Sequence, residues 1–246
     1  MYREAFAAFK NSFGFFCVHA AILLFFENML EGPLVGLPMA VAVAWIAFFS
    51  HRMALKGETY TIQEALKSHA NDEAKTKHWL FFGRYFVLLL GLFLAFGVIV
   101  FVASGTGLIQ STEPNSIETG IALSMMIAAI LYGLLMAYVG TILPASAVKE
   151  NSSWKSAIKR GKLKFWITLW RLVAGYLFWS LGSIALITVV MLSVPNVGID
   201  LENGTGPFAI SYFGYMLTCF GILLAATALS ISYREAEEVL VSEGVK

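Results

Sequence analysis

Two arginines stand about one helical turn inside long apolar stretches, Arg84 in WLFFGRYF and Arg171 in WITLWRLV. A guanidinium at the middle of a bilayer costs about 2.5–3.5 kcal/mol on insertion scales and far less near the edge. At that depth it can snorkel to the head groups, capture a lipid phosphate, or meet an acidic residue of a partner. His19 is the only histidine within an apolar stretch. A buried imidazole can ligate haem iron or a chlorophyll magnesium, but one histidine without a second ligand fits a hydrogen bond to a neighbouring helix better. His51, His69 and His78 have no zinc-ligand spacing. Pro38 and Pro144 each remove a backbone hydrogen bond from an apolar stretch and bend it. Such a bend is a kink at a membrane exit or a broken helix that offers carbonyls to a substrate. No P-loop, Ser-His-Asp set or metal cluster can be assembled from the rest, so the sequence assigns no catalytic residue, metal or cofactor.

These residues need elements to carry them, and composition says which. The chain has 246 residues, 58% of them hydrophobic and only 13% charged, with a mean hydropathy of +0.73. Soluble domains are about 45–50% apolar and about 25% charged. Apolar runs cover about 13–30, 34–50, 80–104, 121–148, 165–192 and 208–232, and each approaches the roughly 20 residues a helix needs to cross the hydrocarbon. They are too long for strands and lack a period of two. The expected fold is therefore a single all-α, polytopic membrane domain of six transmembrane helices. Cys17 and Cys219 lie inside apolar runs and read as small buried hydrophobes. The charged start followed by an apolar run, with no small-residue cleavage site after it, reads as a retained anchor.

Charge gives the orientation. All 17 Lys and Arg fall in the first, third, fifth and seventh polar segments or their helix margins, together with ten of the 16 acids. The other three segments hold only carboxylates: Glu27 and Glu31, Glu113 and Glu118, Asp200 and Glu202. Basic residues are retained on the cytoplasmic side during insertion. Segments 51–79, 149–164 and 233–246 and both termini are thus expected in the cytoplasm, in a bacterial cytoplasmic membrane. The lysines and arginines are explained by topology, which leaves no basic patch for nucleic acid. Asn203-Gly204-Thr205 matches a glycosylation acceptor by chance. Trp79, Trp154, Trp166 and Trp170 mark the aromatic belt on that same boundary.

The third and fifth polar segments resemble each other. TIQEALK followed by WLFFGR matches SWKSAIK followed by WITLWR, which sets Trp79 and Arg84 beside Trp166 and Arg171. AAFKNSFGFF offers a fainter third copy, and the gap between the two halves differs by five residues. Each unit reads as an amphipathic interfacial helix followed by a helical hairpin. Thr61-Ile62-Gln63-Glu64 has capping-box form. In the last unit Trp154, Ile158, Gly161 and Phe165 share one helical face, while Lys155, Lys159 and Lys162 share another. That pattern suits a helix lying in the interface with its lysines at anionic head groups. A connector packed against the bundle is the alternative. Gly91-x-x-x-Ala95, Gly133-x-x-x-Ala137 and Gly221-x-x-x-Ala225 permit close helix contact.

The stretch AYVGTILPASAVKENSSWKSAIKRGKLKFWITLWRL resembles a segment of the membrane-embedded domain of glycerophosphodiester phosphodiesterases and of the YciC-like bacterial inner-membrane proteins. Pro144, Glu150, Ala157, Gly161, Phe165 and Trp166 carry the match, with Gly161 standing where those families usually have Ser. The chain length and the start YREAFAAFKNSF fit as well. The resemblance implies a six-span membrane fold, and it argues against hydrolysis, since the phosphodiesterase active site belongs to a separate soluble domain. The expected role is a non-enzymatic accessory or scaffold subunit that contacts anionic lipid and a membrane-protein partner. The alternative is a transporter or lipid-handling protein working through its proline-broken helices.

Overall fold

The computed structural model describes residues 1–29, 36–68, 72–106, 114–148, 150, 152–193 and 205–244. Every regular element among them is helical: α1 (Tyr2–Asn11), α2 (Phe13–Met29), α3 (Gly36–Lys56), α4 (Ile62–Ser68), α5 (Asp72–Gly105), α6 (Pro114–Val139), α7 (Ile142–Val148), α8 (Trp154–Leu172), α9 (Phe178–Ser193) and α10 (Thr205–Ser242). A π-helical turn, Val173–Leu177, joins α8 to α9. Among the described residues five helical stretches are long and apolar enough to cross a membrane, and α1 with α2, bent by 84°, makes a sixth if the pair is one span. Glu31, His69, Glu113, Asp200, Glu202 and Asn203 lie outside the described residues.

Three spans start well before the hydropathy implies, and α6 is one of them, beginning at Pro114 and not Ile121. α5 begins at Asp72, not Leu80, and α8 begins at Trp154, not Phe165. In the last unit the amphipathic segment is the start of the spanning helix itself, whereas in the unit before it TIQEALK forms the separate helix α4. The stretch Trp154–Ser193 is 40 residues, about 60 Å at 1.5 Å per residue. That is twice the roughly 30 Å of hydrocarbon, so its lysine-bearing first turns project beyond it. The five-residue difference between the repeats is taken up where α4 ends at Ser68 and α5 starts at Asp72; α8 runs on unbroken at the same place. The capping box of α4 is formed, with Thr61 Oγ1 accepting from Glu64 N at 3.3 Å and Thr61 N donating to the Glu64 carboxylate at 2.8 Å. The Thr61 N–H and the Thr61 hydroxyl both donate to the Glu64 carboxylate and hold it below its usual range. Ser153 caps α8 in the same way, accepting from Ser156 N at 3.1 Å.

The fourth apolar run breaks at Gly140–Thr141 and not at its proline. A proline ring collides with the carbonyl four residues back, and for Pro144 that residue is Gly140. The freed Gly140 carbonyl accepts from Leu143 N at 3.0 Å instead. Pro144 then sits in the first turn of α7, where its missing N–H leaves no helical bond unmade. Pro38 is likewise the third residue of α3, in a first turn, and α3 runs straight on to Lys56.

The packing order follows three units. α3, α7 and α10 touch one another at the centre, while α2, α5 and α8 lie outside, each between two of them. The order α2, α3, α5, α7, α8, α10 closes back on α2. Each inner helix places a serine with no exposed surface at the same end, Ser50, Ser146 and Ser232. Phe15, Phe16, Phe48, Phe49 and Phe81 are fully buried around that end. Their rings meet edge to face, Phe15 with Phe49 at 5.4 Å and Phe48 with Phe81 at 5.3 Å, which adds about 0.5–1.5 kcal/mol per pair beyond area. Toward their other ends α5 and α9 carry exposed apolar side chains, among them Phe93, Phe101, Ile184 and Leu192. Among the described residues this is an all-α, polytopic membrane protein, tightly packed at one end and with exposed apolar helix faces toward the other.

Candidate functional site at the packed end of the bundle

The packed end gathers the ionic groups. α8 crosses the α6–α7 break at very close range, because Gly161 has no side chain. A Cβ built there would lie 1.8 Å from the Tyr138 carbonyl oxygen. Ala157, one turn earlier, is fully buried, and Phe165, one turn later, packs edge-on to Tyr138 at 6.3 Å. This close approach carries Arg160 into the protein, where it is the largest side chain with no exposed surface. Its Nη1 donates to Glu237 of α10 at 2.7 Å, its Nε lies 3.3 Å from Thr141 Oγ1 in the break, and its guanidinium stacks over Tyr233 at 5.0 Å. Tyr233 in turn donates to Glu150 at 3.4 Å. The cost of taking the Arg160 charge out of water is offset only by such partners.

Arg171 and Arg84 flank this cluster in equivalent ways. Arg171 makes a two-pronged pair with Glu235 at 2.6 and 3.0 Å and reaches Ser232 Oγ at 3.2 Å. Arg84 donates to Ser146 Oγ at 2.5 Å. The two arginine–serine pairs are 62 and 61 residues apart, so they occupy matching places in successive units. The acidic partner that the sequence left open for Arg171 is therefore supplied by its own chain, on the last helix.

The remaining sequence-marked residues lie on the outside. Lys155, Lys159 and Lys162 are exposed along α8. Trp79, Trp166 and Trp170 are more than half exposed, and Trp154 is 40% exposed. The face Trp154, Ile158, Gly161, Phe165 is split. Trp154 and Ile158 stay at the surface while Gly161 is pressed on Tyr138. The buried face of α8 is instead Ala157, Arg160, Gly161 and Thr168. α8 packs on α6 and α10 along that face, as the connector alternative would have it, and its lysines remain outside. Among the described residues His19 bonds within its own helix, Nδ1 to the Phe15 carbonyl at 2.8 Å. His51 makes the interhelical bond, Nδ1 to Ser230 Oγ at 2.9 Å. Gly91 faces Leu135 and Gly221 faces Trp179, whereas Gly133 looks into open space. Cys17 and Cys219 are free thiols.

Arg160 and Glu237 were invisible to the sequence as a pair. Arg160 sits in AIKRGKLKFW, where every cation reads as a topology signal. The usable clue was the small-residue row Ala157, Gly161, Thr168, which marks a packed helix face with Arg160 on its edge. Among the described residues, no group of three His, Cys, Asp or Glu side chains is placed to hold a metal ion.

The fold and this end of the bundle define a class, a multi-pass α-helical membrane protein whose last inner helix is tied to α8 by one buried and one half-exposed ion pair. Comparison with protein-family models, curated proteins and solved structures returned no match, so the resemblance to the phosphodiesterase membrane domain rests on the residues quoted for it. Four of those residues have physical tasks in this fold. Pro144 sets the break, Glu150 receives Tyr233, and Ala157 and Gly161 admit α8.

Proposed function

We propose that the protein is a non-enzymatic accessory or scaffold subunit of a bacterial inner-membrane assembly, holding anionic lipid on its basic end and a membrane-protein partner on its apolar flank. The observation that carries this is the contrast between its two ends. Arg160 and Arg171 are spent on internal pairs that lock the packed end. The apolar windows of α5 and of α8–α9 are each only 6% buried within the chain, leaving broad helix faces for lipid or for other spans. A rigid base with open flanks suits a subunit that positions others. Purification in mild detergent with quantitative mass spectrometry tests it, with a partner membrane protein expected at fixed stoichiometry. Recovery of the chain alone under several detergents overturns the reading.

Lys155, Lys159 and Lys162 form the lipid-facing row. Each lysine near an anionic surface contributes about 1 kcal/mol. Changing all three to Glu is expected to weaken binding of anionic liposomes at least tenfold, and the wild-type binding is expected to fall with salt. Equal binding by the variant would refute this part. The proposed orientation places both termini in the cytoplasm. An impermeant maleimide applied to whole cells should label a cysteine at Ser116 and not one at Ser153, and the reverse pattern inverts the topology.

A transport or lipid-handling role is the second reading. The α6–α7 break favours it, since Thr141 there touches a buried arginine and broken helices line substrate paths in transporters. Flux in reconstituted vesicles that disappears with Pro144→Ala would select it over the subunit reading.

A further inference from the structure

Two grooves open where an interfacial helix crosses a hairpin. One, of 510 Å³, lies between α2, α3 and α4, and no cation lines it. The other, of 780 Å³, lies between α1, α2, α9 and α10 and has Arg3 among its lining residues. In the corresponding place beneath α5 and α6, the gap is filled by the contact of Gly161 with Tyr138.

We propose that the groove between α1, α2, α9 and α10 is a binding site for one anionic phospholipid, with its phosphate on Arg3 and an acyl chain along the helices. The groove has the two-part chemistry of such a molecule. α1 turns 84° from α2 and carries Arg3 to one end of the groove. Arg3 is exposed, and neither a hydrogen bond nor an ion pair engages it among the described residues, since its neighbour Glu4 is the one that meets Arg234 at 3.5 Å. Tyr2 beside it is occupied with the Ala174 carbonyl, so Arg3 is the group left to meet an anion. A guanidinium matches phosphate with paired donors. Beyond it the walls are apolar, with Phe9, Cys17, Trp179, Met216 and Phe220. On α10 they extend from Phe220 to Tyr212, about 12 Å at 1.5 Å per residue. Tyr212 closes the wall by donating to the Cys17 carbonyl at 3.1 Å. The volume falls in the roughly 300–1,000 Å³ range of small-molecule sites. A polar solute would find almost no partner along this length, while a chain with an anionic head fits both parts.

This goes beyond the subunit reading and does not depend on the lysine row of α8. The protein is purified, reconstituted into phosphatidylcholine nanodiscs with a minor share of phosphatidylglycerol, re-extracted in a delipidating detergent, and weighed by native mass spectrometry. One retained phosphatidylglycerol per chain is expected. Retention should fall at least tenfold with Arg3→Glu, and also with Cys17→Trp, which fills the groove without removing charge. It should persist in the Lys155, Lys159 and Lys162→Glu variant, which separates this site from the general lipid surface. Thermal unfolding confirms that each variant is folded. Wild type without retained lipid overturns the proposal, as does equal retention by both groove variants. Retention of a free fatty acid in place of the phospholipid overturns the assignment of the head group.

Discussion

Replacing Gly161 with alanine will cost the protein about 3 kcal/mol or more, enough to lose most of the monodisperse material in detergent. The added methyl meets the Tyr138 carbonyl oxygen at 1.8 Å and its carbon at 2.7 Å. Overpacking a core usually costs about 1–3 kcal/mol, because flexible side chains give way. Here both contacting surfaces are helix backbone, so α8 must move away from α6 as a unit. That movement would pull Arg160 from Thr141 and Glu237 and loosen the clamp with it. Gly133 supplies the control, since a Cβ there meets nothing within 4 Å. Gly133→Ala is expected to be neutral or slightly stabilising, as alanine has the better helix propensity. Thermal unfolding followed by size-exclusion chromatography reads both. A Gly161→Ala protein as stable as wild type would mean that α8 does not approach α6 this closely.

The second large effect is expected at Arg160. Removing one member of a buried ion pair costs about 3–5 kcal/mol, because the other charge is left without compensation. Arg160 has no exposed side-chain surface and Glu237 retains 21%, so Glu237 recovers some hydration when its partner is lost. Arg160→Met is therefore expected near the lower end, about 3 kcal/mol. The double variant Arg160→Met with Glu237→Met should be more stable than Arg160→Met alone, because it leaves no orphaned carboxylate. Strict additivity in that cycle would show that the two residues are not coupled. Arg171 and Glu235, at 20% and 33% exposure, should show the same sign with a smaller size, since water screens a half-open pair.

These two residues show where reading the chain stopped. The repeat sets Arg84 beside Arg171 through local spacing, and each of them donates to a serine on a later helix. The same lysine-rich segment concealed Arg160, since positive charge beside a span always has the topological explanation. The spacing of Trp154, Ile158, Gly161 and Phe165 groups them on one helical face, which suits either a lipid interface or a connector packed on the bundle. The structure divides it, because a glycine is apolar on any scale and only the neighbouring backbone reveals that it is a contact point. Pro144 was read as the site of the bend, yet the chain breaks four residues earlier. The steric conflict belongs to the proline, but the carbonyl that moves is that of Gly140.

Sequence alone determined the class, the apolar stretches and the segregation of charge. Hydrophobic length and charge placement are properties of consecutive residues, and a bilayer acts on them segment by segment. Only the tertiary structure decided which cations face outward and which are held inside. Arg160 finds Glu237 across 77 residues, and Arg171 finds Glu235 across 64. Such pairings exist only after α8 and α10 have packed together, which brings residues far apart in the chain side by side and withdraws Arg160 from water.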